Sequence, residues 1–218
     1  TPLTNIRLYV EQLLEEPDGD AKARELAINT LAHESRRLER IVGDMLSVSE
    51  IETGTLRLRK DDVRLETLFT ELRDDFQRQA DEHKILLTFH LPPKFPVILG
   101  DRDKIVLALH NILGNAIKYT PDGGAVTVDV SAEGPQVEIA VSDTGIGIRP
   151  EEQDLIFQKF YRAKDPRITS ITGTGLGLTL AREVARLHGG DVTLTSQVNK
   201  GSTFRLVLPS VQPAARAA

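Results

Sequence analysis

The chain has 218 residues, enough for one large domain or two small ones, each with its own core. Its 27 Lys+Arg against 32 Asp+Glu give a formal net charge of -5, which argues against a general nucleic-acid binder. With no cysteine there is no disulfide framework and no thiolate metal site, and no apolar run approaches the roughly 18 residues that span a bilayer.

Thr1-Pro2-Leu3-Thr4 reads as the inside of an element already begun, so the chain is expected to be a fragment of a longer protein. Pro2 suits a first helical turn. Ile6, Tyr9, Val10, Leu13 and Leu14 follow at helical spacing, and Pro17-Asp18-Gly19-Asp20 is a turn. A long second helix is predicted from Ala21 to Glu52, with Leu31, Leu38 and Met45 recurring in a heptad and Leu26, Ala27, Ile41 and Val48 widening the stripe. Arg36, Arg37, Glu39 and Arg40 lie on the wetter side. Two helices with apolar faces this wide cannot bury them against each other alone. A second copy completing a four-helix bundle is the economical solution, with packing on the following domain as the competing one. Gly54 is a predicted C-terminal cap, and Leu56 to Arg59 an extended connector that ends near residue 60.

The second domain, 61–210, opens with a helix carrying Leu65, Leu68, Phe69, Leu72 and Phe76 and closed by Asp81 to Lys84. Ile85–Leu91 and Val97–Leu99 read as strands. Asp101 is a predicted N-cap for a helix that runs into Asn111-Ile-Leu-Gly-Asn-Ala-Ile-Lys-Tyr-Thr-Pro121. Val126–Ser131 with Gln136–Ser142, and Asp191–Gln197 with Ser202–Leu208, are predicted hairpins, and Leu176–Leu187 is helical. The pattern gives an α+β fold: a helical hairpin over 1–60, then an α/β sandwich of one sheet with helices on one face. Residues 211–218 are expected to be a disordered tail.

On a helix, Asn111 and Asn115 share a face one turn apart, with Lys118 one turn further, while Ile112, Leu113, Ala116 and Ile117 form the core side. Carboxamides and an ammonium on one face suit a hard cation bound to phosphate; a plainly solvated polar face is the competing reading. Asp143-Thr-Gly-Ile-Gly-Ile148 ends a strand. Its carboxylate can accept from an exocyclic amine, and Gly145 and Gly147 allow close backbone approach, although an ordinary glycine turn capped by Asp143 looks the same. Gly173-Thr-Gly-Leu-Gly-Leu178 opens a helix whose exposed N–H groups favour phosphate. It is neither a Walker loop nor a dinucleotide fingerprint. Between these motifs, Phe157 and Phe160 read as hydrophobic anchors of a polar, mobile lid over Ala163–Thr172, from which Lys164 and Arg167 could reach phosphates, or simply be solvated.

In this order the motifs resemble the N box (Asn111–Pro121), G1 box (Asp143–Ile148), F box (Phe157–Arg162) and G2 box (Gly173–Leu178) of bacterial sensor histidine kinases. Their ATP-binding fold is that of the GHKL superfamily. Thr1 to Gly54 resembles the dimerisation and histidine-phosphotransfer hairpin of the same family. The resemblance implies the kinase core of a two-component sensor, using ATP and Mg²⁺, acting as a homodimer and passing phosphate to an aspartate of a response regulator receiver domain. It implies a cytoplasmic location, with any membrane attachment through segments outside this chain.

Residue by residue, the resemblance makes Asn115 the Mg²⁺ ligand with Asn111 in support, brings Lys118 to phosphate oxygens and puts Tyr119 beside the nucleotide. Asp143 reads the adenine amino group, and Gly145, Gly147 and Ile148 shape the base pocket. Phe160 and Lys164 belong to the lid, while Gly173, Thr174, Gly175, Leu176 and Gly177 hinge it and meet phosphates. Thr1 matches the position tied to dephosphorylating the partner. The acceptor histidine of the family lies four residues before Thr1, so the chain as given is expected to bind ATP without phosphorylating itself at the usual site. His33-Glu34-Ser35-Arg36 mimics an acceptor motif but sits mid-helix without the following proline; His110 reads as a helix-surface residue and His188 as a helix stop. The rival readings are a GHKL ATPase that couples hydrolysis to conformational change, disfavoured by asparagine where an acidic water-activating residue is expected, and a nucleotide-gated dimeric scaffold or phosphatase module.

Overall fold

The computed structural model describes residues 2–15, 20–169, 171 and 173–210. Thr1, the predicted turn at Pro17–Gly19, Ser170 and Thr172 of the lid, and the tail 211–218 lie outside them. The chain divides into two compact units, Thr1–Thr55 and Leu56–Ala218.

The first unit is a hairpin of α1 (Pro2–Glu15) and α2 (Ala21–Glu52). A Schellman arrangement ends α2. The Thr55 N–H donates to Glu50 O at 3.0 Å, the Gly54 N–H donates to Ile51 O at 3.1 Å, and Gly54 takes φ +64°, where a Cβ would be strained. Inside the hairpin, Asn5 Nδ2 donates to Glu34 Oε1 at 2.9 Å and Arg37 Nη1 donates to Glu34 Oε2 at 3.2 Å, so the buried Glu34 is paired on both oxygens. No described residue of α1 is buried, and Leu3, Leu8, Leu14, Leu26, Met45 and Leu46 are exposed. Of the apolar stripe read from the sequence, Ala27 and Val48 are buried and Leu31, Leu38 and Ile41 half-buried, while Val10, Leu14, Leu26 and Met45 stay exposed in a single hairpin. His33 is exposed on α2.

The second unit is built on a five-stranded sheet in the order β2-β4-β5-β7-β6: β2 (Leu86–His90), β4 (Ala125–Glu133), β5 (Gln136–Asp143), β7 (Gly201–Pro209) and β6 (Asp191–Gln197). β2 and β4 are parallel and joined through a helix, as a parallel pair requires; the other neighbours are antiparallel. Val137, Ile139 and Val141 on β5 and Phe204, Leu206 and Leu208 on β7 are buried, and the residues between them are more exposed. One face thus makes the core. Against it pack α3 (Leu65–Glu82), α4 (Arg102–Tyr119) and α5 (Gly177–Leu187). Burying each large aliphatic there is worth about 1.5–3 kcal/mol.

One expectation needs correcting. The structure has a second, two-stranded sheet, in which β1 (Asp61–Val63) pairs antiparallel with β3 (Ile98–Gly100). Asp61-Asp62-Val63 shows no alternation of its own. It becomes a strand because Val63 pairs with Ile98 and both side chains are buried.

Immediately after β3, Asp101 ties three elements together. Its Oδ1 accepts from the Lys104 N–H at 3.2 Å, capping α4, and its Oδ2 accepts from the Arg59 N–H at 3.1 Å in the connector. Its own N–H donates to His188 Nε2 at 2.9 Å. His188 Nδ1 lies 2.7 Å from Val184 O, so the ring is neutral, donating from Nδ1 and accepting at Nε2. The helix stop read at His188 is thus also a cross-link to α4. Burial works to raise the Asp101 pKa, but the two N–H donors, with Arg59 and Lys104 nearby, bring it below the usual carboxylate value. Asp101→Ala is expected to lower stability in urea denaturation by about 1–2 kcal/mol, the cost of losing a cap. The wild-type advantage, present above the unfolded carboxylate pKa, fades as pH falls through the depressed folded value.

Candidate functional site

Two glycine-containing stretches converge on the polar side of α4. Ile105, Ala108, Leu109, Ile112, Leu113, Ala116 and Ile117 are buried toward the sheet, which leaves Asn111, Asn115 and Lys118 along the opposite face. Asn111 Nδ2 donates to Leu107 O at 3.0 Å, which fixes the carboxamide and turns Oδ1 toward the start of α5. Asn115 is half-buried, and among the described residues nothing hydrogen-bonds its carboxamide. The Lys118 ammonium lies 5.4 Å from the centroid of the Tyr119 ring.

The start of α5 lies against this face. A Cβ on Gly177 would come 2.5 Å from Asn111 Oδ1, and one on Gly173 would come 3.0 Å from Lys118 Nζ. Between them Gly175 takes φ +72°, and a Cβ there would strike the backbone of Phe160 and Tyr161 at 2.7 Å. The Phe160 N–H donates to Gly175 O at 3.0 Å, joining the glycine stretch to the Phe157–Arg162 segment. Leu176 is buried, and its N–H donates to Thr174 Oγ1 at 3.2 Å. The first turn of α5 therefore opens beside Asn111 and Lys118, with its free N–H groups on the same side.

The C-terminus of α4, just past Lys118, meets the Asp143 loop. The Ile146 N–H donates to Tyr119 O at 3.2 Å, and a Cβ on Gly145 would sit 2.4 Å from that oxygen. Gly147, at φ +67°, leaves no room for a Cβ against Gln197 O, and the Ile148 N–H donates to Ser196 Oγ at 2.8 Å. Asp143 Oδ1 accepts from the N–H groups of Gly145 at 2.8 Å and Ser202 at 3.2 Å, while Oδ2 has no partner among the described residues. Burial pushes the Asp143 pKa up to about 6, against the pull of those two donors. The result is a carboxylate held in place through one oxygen and open at the other.

The lid segment departs from expectation in one respect. Phe157 is half-buried, edge-on to Phe204 at 6.4 Å and capped by the Arg182 guanidinium at 4.7 Å, as an anchor should be. Phe160 is not an anchor: it is 62% exposed, at φ +63°. Its positive φ, imposed by the contact with Gly175, turns the ring outward. The buried residue of the segment is Ile168, in a short 3₁₀ turn, Pro166–Ile168. Arg167 is engaged with Asp165 at 2.6 Å and Asn199 at 2.7 Å, while the Lys164 side chain is exposed. A cavity of about 430 Å³ lies inside this segment between Arg162 and Thr169, and none of Asn111, Asn115 and Asp143 lines it. His110 pairs with Asp75 at 3.2 Å and leans on Phe76, so it faces α3 rather than the convergent face. Sequence reasoning missed Ser196, Ser202, Arg149 and Glu152, whose only signal was proximity to Asp143-to-Ile148 or to the β6–β7 turn.

Among the described residues no cluster of three His, Cys, Asp or Glu side chains is arranged to hold a metal, and no helix is long and apolar enough to cross a membrane.

Residues 100–212 match the family described as histidine kinase-, DNA gyrase B-, and HSP90-like ATPase, and residues 1–54 match the His Kinase A (phospho-acceptor) domain. The chain is 34% identical over 214 residues to sensor histidine kinase WalK of Bacillus subtilis, covering 96% of this chain and 34% of that protein. It is 34% identical over 209 residues to the sensor-like histidine kinase SenX3 of Mycolicibacterium smegmatis, covering 96% and 54%. It therefore spans only a third to a half of these relatives. Among solved structures, full-length ShkA in complex with AMPPNP superposes with a TM-score of 0.77 at 27% identity, covering 97% of this chain and 44% of that one. Histidine kinase ThkA in complex with the response regulator protein TrrA, at 23% identity and a TM-score of 0.72 over 97% of this chain and 58% of that one, shares the fold.

Replacing the Asp143 carboxylate by its neutral isostere tests its raised pKa. A folded pKa above the unfolded one means that stability is greatest below the unfolded value near 3.8 and is lost as pH rises through about 6. Asp143→Asn, whose oxygen still accepts from Gly145 and Ser202, is expected to raise thermal stability at pH 7.5 by about 1–2 kcal/mol, allowing for solvent screening. The gain should vanish near pH 4; an equal gain at both pH values would show that ionisation of Asp143 is not its source.

Proposed function

The chain belongs to the sensor histidine kinases, with a His Kinase A hairpin followed by an ATPase domain of the histidine kinase, gyrase B and HSP90 type, and on that premise we propose that it is the ATP-using core of a two-component sensor. One observation carries the proposal: the loop that holds Asp143, with its open carboxylate oxygen, and the glycine-lined opening of α5 meet side by side on the C-terminal half of α4, at Tyr119 and at Asn111 and Lys118. The first suits an adenine amino group, because an ionised carboxylate is an acceptor only. The second suits phosphates, because unpaired helix N–H groups and Lys118 point to one place.

Asn115 supplies a neutral hard oxygen free of internal partners, with Asn111 Oδ1 one turn before it. That donor set fits Mg²⁺ arriving on ATP, which needs few protein ligands and would neutralise phosphate charge. A site of several carboxylates would repel the same phosphates. The role of this chain's residues is then to hold the triphosphate in line and exclude water as the lid closes.

The exposed apolar residues of α1 and α2 support a homodimer through a four-helix bundle, in which the hairpin presents the acceptor histidine and docks the receiver domain of a response regulator. The domains read as hairpin over 1–60 and catalytic domain over 61–210.

The test is nucleotide binding and transfer. Asp143→Ala is expected to weaken ATP binding at least about 100-fold, through loss of a buried charged acceptor. Asn115→Ala should weaken binding in Mg²⁺ and leave binding in EDTA unchanged. Radiolabel from ATP should appear, acid-labile, on a longer chain that includes the upstream histidine, and should pass to a receiver domain. Binding that ignores Asp143 would sink the site assignment. Steady hydrolysis without any phosphoprotein would point instead to an ATPase.

A further inference from the structure

Glu152 is buried to 5% exposure, and neither the core nor the site described above accounts for it. It follows the Asp143 loop, in the short 3₁₀ turn Pro150–Glu152. Its Oε1 accepts from the Lys164 backbone N–H at 2.9 Å and from the Tyr161 hydroxyl at 3.0 Å, and its Oε2 accepts from Arg149 Nε at 3.0 Å. Arg149 Nη2 then donates to the Lys164 carbonyl at 2.8 Å. Both hydrogen-bonding groups of one residue's main chain are therefore held by one ion pair. That residue is the point at which the fixed Phe157–Arg162 segment gives way to the lid.

We infer that Glu152, working with Arg149, is a positioning residue that clamps the Lys164 backbone, sets the root of the lid and couples it to the adenine-side loop. The inference rests on the nucleotide reading proposed above. Arg149 follows directly on Ile148, whose N–H is tied to Ser196, and Gln153 Nε2 donates to both Ile148 O and Ser196 O at 3.1 Å. The clamp is thus rooted in the edge strand β6, beside the Asp143 loop. Its other end is a loop residue whose exposed side chain is a candidate phosphate contact. A long polar loop beside a polyanion gains from having one fixed root. Fewer conformations must then be given up when it closes, and Lys164 starts from a defined place. Holding the main chain leaves the Lys164 ammonium free for a ligand, which a side-chain salt bridge would not.

A structural role alone would affect every ligand alike, so the test separates the two ends of the nucleotide. Dissociation constants for ATP and for adenosine would be measured on the full chain, wild type against Glu152→Ala, Glu152→Gln and Arg149→Ala. Trypsin cleavage after Lys164 would be timed by mass spectrometry. For Glu152→Ala we expect ATP to weaken about tenfold, the effect of losing charge-assisted hydrogen bonds, with adenosine within about twofold of wild type. Cleavage at Lys164 should quicken at least about fivefold as its main chain is released. Glu152→Gln, which can still accept from the Lys164 N–H, should fall between, and Arg149→Ala combined with Glu152→Ala should add little to either alone. Parallel weakening of ATP and adenosine, or unchanged cleavage at Lys164, would overturn the clamp. If wild type bound neither ligand, the nucleotide reading would fall by itself, and the cleavage rates would still decide whether Glu152 holds Lys164.

Discussion

The approach of α5 to α4 is the constraint on which the site depends. Asn111 Oδ1 occupies the space that a side chain at Gly177 would need. Without that clearance the first turn of α5 would stand off from Asn111 and Lys118. The same requirement recurs at the C-terminus of α4, where Gly145 leaves no room for a Cβ against Tyr119 O. A helix with seven buried side chains against a sheet cannot shift to accommodate bulk, so the neighbours must be small. The glycines belong to the packing of α4 before they belong to any ligand.

Three carboxylates fix the surroundings of that helix, and their donors set them apart. Asp101 uses both oxygens on main-chain N–H groups, and Glu152 uses both on a backbone N–H, a hydroxyl and a guanidinium; both have lowered pKa values despite burial. Asp143 has two donors on one oxygen and none on the other, and burial prevails. The difference follows function as proposed. A carboxylate that only braces the fold can be fully satisfied within it, whereas one that must recognise a ligand keeps an oxygen open and carries the desolvation until the ligand arrives.

Much of this was legible in the chain. The edges of α2 fell at Ala21 and Glu52 because periodicity, a turn before it and Gly54 after it all agree. The Asp101 cap and the polar face of α4 were legible because a helix turns sequence spacing directly into a face. What stayed hidden depended on distant partners. β1 is a strand only because Ile98 lies beside Val63. Glu151 and Glu152 are identical letters in one polar turn, and only Tyr161 and Lys164, brought over by the following segment, bury the second and leave the first outside. Phe160 failed as an anchor for a related reason. Its hydrophobicity was visible, but the positive φ that turns it outward comes from Gly175, fifteen positions away.

The two ends of the site differ in how they are made, and that difference bears on how it would work. The Asp143 end is formed by strand termini and the β6–β7 turn, held by ladder bonds and by Ser196, Ser202 and Asn199. It has little freedom, so on the nucleotide reading it would receive a flat base without rearranging. The opposite end is a segment fixed at its root by the Lys164 main chain and at its return by the Phe160–Gly175 contact, with polar residues between. Under the nucleotide reading proposed above, such a segment would tie closure to the presence of phosphate. A rigid base pocket joined through Arg149 and Glu152 to a phosphate-dependent lid would let adenine binding place the nucleotide and leave the triphosphate to decide whether the site closes. In a signalling kinase, that arrangement would make the closed state report ATP rather than any adenine compound.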